Sequence, residues 1–256
     1  MSRQVNDSLI TVHQAAERLD VSPRRIQSLL QKGDLPGFKV GGQWFVSRLS
    51  VRQRSSSRRT SGRPFSPRSA WVLLALLCRS RGDESLRIPE AGDWLIYRLR
   101  SRLRHEGFAS LAPHLDRRAA LHRFWVQPSQ LPRLAAEDRL VLSGISVAHQ
   151  YGLDILAPEE IEAYVPAENL PRLAERYSLA DFVRKPNVAI HAVSFWPFAP
   201  DVKDAPLPVA ILDLLESENE RTRSAGRDAL LHYEAKRPGI EGLASAITHV
   251  AGKEVL

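Results

Sequence analysis

Cysteine occurs once in the 256 residues, at Cys78. No disulfide can therefore close within the chain, and a reducing cytosol is the expected setting. Long apolar runs are missing as well. The longest, residues 70–78 (AWVLLALLC), is far short of the roughly 20 residues that cross a bilayer. The first ten residues, MSRQVNDSLI, have no apolar signal-peptide core. Together these absences lead to the expectation of a cytoplasmic protein without membrane contact. No Gly-rich phosphate loop of the Walker type occurs. The eight histidines show no HxxxH-type spacing and no cysteine partner, so neither a metal nor a cofactor is expected. No internal repeat is visible. Lysine is scarce, 6 residues against 30 arginines.

The chain does contain enough apolar residues, 43% beside 25% charged, to build globular cores. Its length suits two domains. The net charge of +7 is unevenly placed. Residues 1–70 hold 13 Lys and Arg against 4 Asp and Glu, whereas residues 71–256 hold 23 against 25. A uniform preference for arginine would enrich the whole chain and would not create this asymmetry. A basic front attached to a near-neutral back implies a polyanion partner for the front alone.

The front reads as two short helices and a hairpin. Thr11 caps a helix whose apolar stripe is Val12, Ala15, Ala16 and Leu19. Ser22 caps a second, with Pro23 at its first position. Ile26, Leu29 and Leu30 form its buried side, Gly33 stops it, and Pro36-Gly37 turns the chain. FKV and QWFV alternate around Gly41-Gly42, a hairpin signal. At 100° per residue Arg24, Ser28 and Gln31 point away from the apolar face, with Arg25, Gln27 and Lys32 on its flanks. That face holds no acid and is built of groups that bond to base edges and phosphates. Lys39 and Gln43 flank the Gly-Gly tip, where backbone can approach a phosphate. The segments TVHQAAERLDVSPRRIQSLL and GDLPGFKVGGQWFV resemble the excisionase-like, MerR-related winged helix-turn-helix, over Leu9 to about Arg52. The resemblance implies that the helix from Ser22 to Lys32 enters the major groove and that Gly41-Gly42 is the tip of the wing. Phe45 departs from the polar or basic residue frequent in that family.

Residues 47–68, SRLSVRQRSSSRRTSGRPFSPR, are rich in Ser and Arg and read as a basic linker. Within them Gly62-Arg63-Pro64 is part of the Arg-Gly-Arg-Pro core of minor-groove hooks, with Ser61 in place of the first arginine. Arg63 is thus a candidate minor-groove contact, beside the alternative of a solvated tether.

Ser66-Pro67 opens a helix carrying AWVLLALL, and AGDWLIYRLRSRLRHEG forms the next. Between Leu121 and Asp138 the pattern admits a strand at HRFWVQ and a short helix at SQLPRLAAED. From Arg139 onward strands (RLVLSG, EIEAYV, NVAIHAV) alternate with helices (ISVAHQYG, ENLPRLAERYS, PLPVAILDLLES, ENERTRSAGRDALLHYEAK), and IEGLASAITHVAGK closes the chain. Trp44, Trp71 and Trp94 fall on apolar stripes and are expected in cores. Trp125 and residues 195–198 (FWPF) are expected as core or loop anchors, with a partner surface as the alternative. Cys78 is expected to be buried and inert.

Two readings of the back compete. Ser143-Gly144 follows a strand, and Glu160 and Glu162 lie two apart at the start of the next, hence on one face. Such a carboxylate pair holds divalent metal in nucleotidyl transfer. However, the turn is Ser-Gly where transferases have Gly-Ser, the acids are Glu, and the third strand offers His191 and no carboxylate. No catalytic residue is therefore assigned. The alternative is a binding domain. RLVLSGISVAHQYGL, EIEAYVPAENLPRLAERYSL, PNVAIHAV and PLPVAILDLLESENERTRSAGRDALL resemble, over about Ala119 to Leu231, the C-terminal domain of AbiE-like antitoxins of type IV toxin–antitoxin pairs. That resemblance implies a front that represses its own operon on inverted repeats of double-stranded DNA, as a dimer or cooperatively. It also implies a back that neutralises a nucleotidyltransferase toxin.

The expectation is thus an α+β protein that is not an enzyme. Residues 1–52 form a winged helix-turn-helix domain, 53–65 a basic linker, and 66–256 a helical segment with a mixed α/β, antitoxin-like domain. The expected function is that of an autorepressor and antitoxin. The alternatives are a plain transcriptional regulator whose back senses a ligand or dimerises, and a nucleotidyltransferase with a DNA-binding front. Candidate DNA contacts are Ser22, Arg24, Arg25, Gln27, Ser28, Gln31, Lys32, Lys39, Gly41, Gly42, Gln43 and Arg63.

Overall fold

A computed structural model describes residues 9–19, 21–31, 35, 37–48, 51, 64–181 and 185–236. The chain divides into two compact units, residues 1–62 and 63–256, and each is described by itself.

In the first unit, Leu9–Thr11 forms β1, Val12–Leu19 α1, Pro23–Gln31 α2, Gly37–Val40 β2 and Gln43–Ser47 β3. Thr11 does cap α1, through a reciprocal box. Its hydroxyl accepts from the Gln14 N–H at 3.3 Å, and the Gln14 side chain accepts from the Thr11 N–H at 3.0 Å. The Ser22 hydroxyl accepts from the Arg25 N–H at 3.3 Å, which gives α2 its start. The hairpin turns at Gly41 and Gly42, with φ of 55° and 85°. Two successive positive φ values are what a tight hairpin turn demands and what glycine supplies without strain. β1 has no counterpart among the elements expected from sequence. Three residues carry no measurable periodicity, and the strand exists because β3 offers it an edge: Leu9 pairs with Ser47, Ile10 with Val46 and Thr11 with Phe45. The sheet order is β1-β3-β2, all antiparallel. Ile10, Ala15, Leu19, Ile26, Leu29, Leu35 and Val46 are buried together against it, and Trp44 packs partly buried at the margin. Each of the buried Ile, Leu and Val side chains stabilises by about 1.5–3 kcal/mol.

The second unit begins with α3, Pro67–Arg79, whose cap Ser66 accepts from the Ser69 N–H. Every side chain from Ala70 to Cys78 is buried, so α3 is a central helix. Next come α4 (Asp93–Leu111), β4 (Ala120–Phe124), α5 (Leu131–Ala135), β5 (Val141–Leu142), β6 (Ile161–Pro166), α6 (Leu170–Tyr177), β7 (Val188–Val193), α7 (Leu207–Glu216) and α8 (Glu220–Ala235). The sheet order is β4-β7-β6-β5. β6 and β7 are parallel, and the outer pairs are antiparallel. Parallel neighbours need a crossover, which α6 supplies.

The sheet has a core on each face. On one, Ile161, Ala163, Val165, Val188 and Ile190 pack with residues of α5 and α6. On the other, Tyr164 and Val193 pack with residues of α3, α4, α7 and α8. Strand alternation then sends Glu162, Tyr164 and His191 to the second face, toward α7.

Several expectations change. The segment ISVAHQYG makes two 3-10 turns, Gly144–Ser146 and Ala148–Tyr151, and no α-helix. Val147 between them, at φ −113° and ψ −1°, breaks helical geometry. Trp94 is 71% exposed and not in the core. The apolar face of α4 is set by Leu99 and Leu103, and Trp94 lies about half a turn out of phase with Leu103. Trp71 and Phe198 are buried as expected, with Phe195 and Trp196 packed beside them. Trp125 is partly exposed and bridges to Ala180. The closing segment IEGLASAITHVAGK lies outside the described residues.

Candidate functional site

Two constellations are built from chemically capable side chains, one in each unit.

In the first unit α2 carries its apolar residues Ile26, Leu29 and Leu30 inward. Arg24, Arg25, Gln27 and Gln31 are exposed on the remaining surface, with Ser22 exposed at the cap. Ser28 is half-buried; it is short and lies one turn from two long side chains, Arg24 and Gln31. No acidic residue occurs between Val21 and Gln31. On the hairpin Lys39, Gly41, Gly42 and Gln43 are exposed, and the Lys39 ammonium stands 6.0 Å from the centre of the Trp44 ring. Lys39 and Trp44 are opposite one another across the β2–β3 ladder. Phe45 is half-buried and pairs with Thr11 on the inner strand edge. Lys32, Gly33 and Arg63 lie outside the described residues.

The second constellation is a buried polar centre on the α7 face of the mixed sheet. Its middle is Asp213, fully buried in α7. Asp213 accepts from the Arg118 guanidinium, from the Tyr164 hydroxyl at 2.7 Å and from the Ser143 hydroxyl. Arg118, itself buried, also donates to the Tyr164 oxygen at 2.9 Å, to the Leu115 carbonyl at 3.1 Å and to Glu216 at 2.5 Å. Trp71 closes over this arginine, its indole N–H donating to the Arg118 carbonyl at 2.9 Å. His191 Nε2 lies 2.9 Å from Glu162 and 3.6 Å from Asp213. Its ring stacks on Tyr164 at 4.7 Å.

The electrostatics follow from this packing. Burial alone would depress the basicity of Arg118, but Glu216, Tyr164 and Asp213 more than reverse it, so its cation is held well beyond the ordinary range. Burial likewise works against the His191 imidazolium. Asp213 and Glu162 outweigh it, and the His191 pKa is raised. Burial pushes the Tyr164 phenol up, keeping it a neutral donor to Asp213.

Glu160 and Glu162 do not form the pair expected on one strand face. β6 begins at Ile161, Glu160 is exposed in the preceding turn, and Glu162 is buried. The carboxylate expected to be missing comes instead from a helix, as Asp213. Glu162, His191 and Asp213 are, among the described residues, a group with metal-ligand spacing, their ligating atoms all within 4.8 Å of one another. Those atoms are already engaged. One Glu162 oxygen meets His191, and the other accepts from the Ile145 N–H at 3.1 Å. The cation facing Asp213 is the Arg118 guanidinium. The donor set therefore fits an internal ion-pair network better than an open metal site.

The turn at residues 143–146 is wrapped around Glu162. Ser143 N–H donates to its carbonyl at 2.8 Å, and the Ser146 hydroxyl accepts from its N–H at 2.8 Å. Gly144 has φ +51°, and a Cβ there would stand 1.9 Å from Glu162 Oε2. Only glycine satisfies both constraints. Asp213 had one legible signal, a lone acid inside an apolar helix run, since a charge in such a place needs a buried partner. Arg118 had none, being one of two adjacent arginines in a polar stretch.

A cavity of about 800 Å³ opens elsewhere in the second unit, lined by Cys78, Arg81, Tyr151, Arg221, His232 and Tyr233 among others. The Arg81 guanidinium lies 3.7 Å from the Tyr233 ring centre. Burial pushes the Tyr151 phenol up to about 12. Cys78 is buried, and burial raises its thiol well above the usual range, leaving it unreactive. Among the described residues no helix is long and apolar enough to cross a membrane.

Residues 9–54 match the family model of a helix-turn-helix domain. No curated protein and no solved structure matches the chain. The first unit thus contains a helix-turn-helix domain, a module whose business is binding DNA in transcription regulation. The match ends before the second unit begins.

Proposed function

We propose that the protein is a cytoplasmic DNA-binding autorepressor and the antitoxin of a nucleotidyltransferase-type toxin. The observation that carries the DNA half is the acid-free exposed surface of α2, Arg24, Arg25, Gln27 and Gln31, in a helix-turn-helix domain. In this reading α2 lies in the major groove, and the β2–β3 hairpin is a wing whose Gly41-Gly42 tip and Lys39 meet the neighbouring backbone. Ser22, Ser28 and Gln43 add polar contacts, and Lys32 and Arg63 are further basic candidates for contact with DNA. The operator is an inverted repeat of double-stranded DNA, read by two copies.

The antitoxin half rests on the AbiE-like sequence pattern over residues 119–231. A non-catalytic second unit agrees with the buried centre, where Arg118 and His191 occupy the carboxylates that a nucleotidyl transfer would need for metal. One experiment separates the two halves. The neighbouring reading frame is expressed with the full chain, and with the full chain carrying Arg24→Ala and Arg25→Ala. The expected result is that both restore growth, while the double variant loses operator binding by about 1–3 kcal/mol per lost base contact and no longer represses. A harmless neighbour, or toxicity that the full chain leaves unrelieved, would remove the antitoxin reading. Unchanged operator affinity in the variant would move the reading surface away from α2.

The 800 Å³ cavity favours a second reading, a regulator whose second unit senses a small ligand. A ligand that shifts operator affinity, with no toxic neighbour, would establish it.

A further inference from the structure

The outer face of α4 exposes two large aromatic side chains. Trp94 and Tyr97 are 71% and 64% exposed, and their rings are stacked at 6.0 Å with 21° between their planes. Large aromatic groups normally bury their area, and an exposed pair usually marks a contact surface. Arg98, Arg104 and His105 are also exposed, and the spacing 94-97-98-104-105 keeps all five on one helical face, opposite Leu99 and Leu103. At about 1.5 Å per residue the stripe runs some 16 Å.

Its charge is mainly positive. Glu106, the acid at its far end, is engaged by Arg102 through two contacts of 2.5 and 2.7 Å, which leaves Asp93 at the helix start. On the flank, Arg100 is held below the ordinary arginine range, first by burial and then by the neighbouring cations Arg104 and Arg79. Crowded guanidiniums raise the local positive potential and favour an anion.

We propose that this face of α4 binds single-stranded nucleic acid, with an unpaired base on the Trp94–Tyr97 stack and the backbone phosphate beside it at Arg98. Aromatic faces beside a basic track are the combination such strands use. A duplex hides its base faces and would leave the rings without a partner. An acidic protein would satisfy the arginines but has no group that requires two stacked rings. This site lies in the second unit and is independent of duplex reading by α2.

The test uses the full chain with Arg24→Ala and Arg25→Ala, so that the helix-turn-helix contributes least. Fluorescein-labelled oligouridylate and oligothymidylate of about 15 nucleotides are titrated by anisotropy, with polyglutamate as the acidic control. Binding of either strand is expected, weakened about 10-fold or more by Trp94→Ala with Tyr97→Ala, retained by Trp94→Phe, and weakened by Arg98→Glu. Preference for oligouridylate would narrow the strand class to RNA; equal affinity would assign single strands of either sugar. Both residues are exposed, and thermal melting checks that the variants fold. Strand affinity that ignores the Trp94 and Tyr97 changes overturns the proposal. So does polyglutamate binding that depends on them while strands do not bind. A shift in oligomeric state with strand affinity unchanged would reassign the face to self-association.

Discussion

Taking away the Arg118 guanidinium would leave Asp213 buried with two hydroxyl donors, those of Tyr164 and Ser143, and the His191 ring at 3.6 Å. Breaking a buried pair from one side costs far more than the pair contributes, because the remaining charge stays in a poor solvent. Arg118→Ala is therefore expected to destabilise the second unit by about 3–5 kcal/mol, measured by urea unfolding. His191 gives the same centre a pH dependence. Its pKa is raised in the folded chain, so its stabilising charge is fully present below the unfolded value of about 6.5. That contribution is lost as pH rises through the higher folded value. The urea midpoint should fall as pH rises above about 6.5, and His191→Gln should flatten that dependence. A midpoint that rises with pH up to about 6.5 and levels off above it would mean that His191 is buried neutral.

Elements form here where local signals and tertiary partners agree. Thr11 and Gln14 make a reciprocal cap that was partly legible, since the cap residue alone was read from sequence. Thr11→Ala should cost about 1 kcal/mol, seen as a lower melting temperature of the first unit. α2, the hairpin, α3, β6, β7, α7 and α8 all correspond to periodic or punctuated stretches. β1 does not, because three residues acquire strand geometry only from a neighbour's free edge, and the strand expected over RLVLSG shortens to β5, Val141–Leu142. The 3-10 turns after β5 replace a helix because the backbone there is shaped around Glu162, a residue 16 or more positions away. Trp94 falls on an apolar stripe of the sequence, yet it is exposed. The phase of α4 is fixed by Leu99 and Leu103, whose burial depends on packing partners that no local window contains.

At the scale of the molecule, the charge asymmetry between residues 1–70 and 71–256 has a counterpart in two compact units with distinct cores. Separate cores lead to separate unfolding. Calorimetry should show two transitions, with Ile26→Ala lowering one and Leu74→Ala the other, each by about 2–5 kcal/mol. A single transition moved by both changes would mean that the units fold as one.

The sequence by itself determined the helix-turn-helix region, its acid-free outer face and the order of the long elements. These depend on caps, glycine punctuation and periodicity, which act between residues a few positions apart. The tertiary structure alone decided which charges meet. Glu162, Tyr164, His191 and Asp213 come from three different elements, β6, β7 and α7, and Arg118 and Ser143 from loops, and they converge because strand alternation and the packing of α7 on the sheet send them to one face. It also decided that Glu160 faces solvent while Glu162 is buried, since the first residue of β6 is fixed by pairing with β7 and not by the residues themselves.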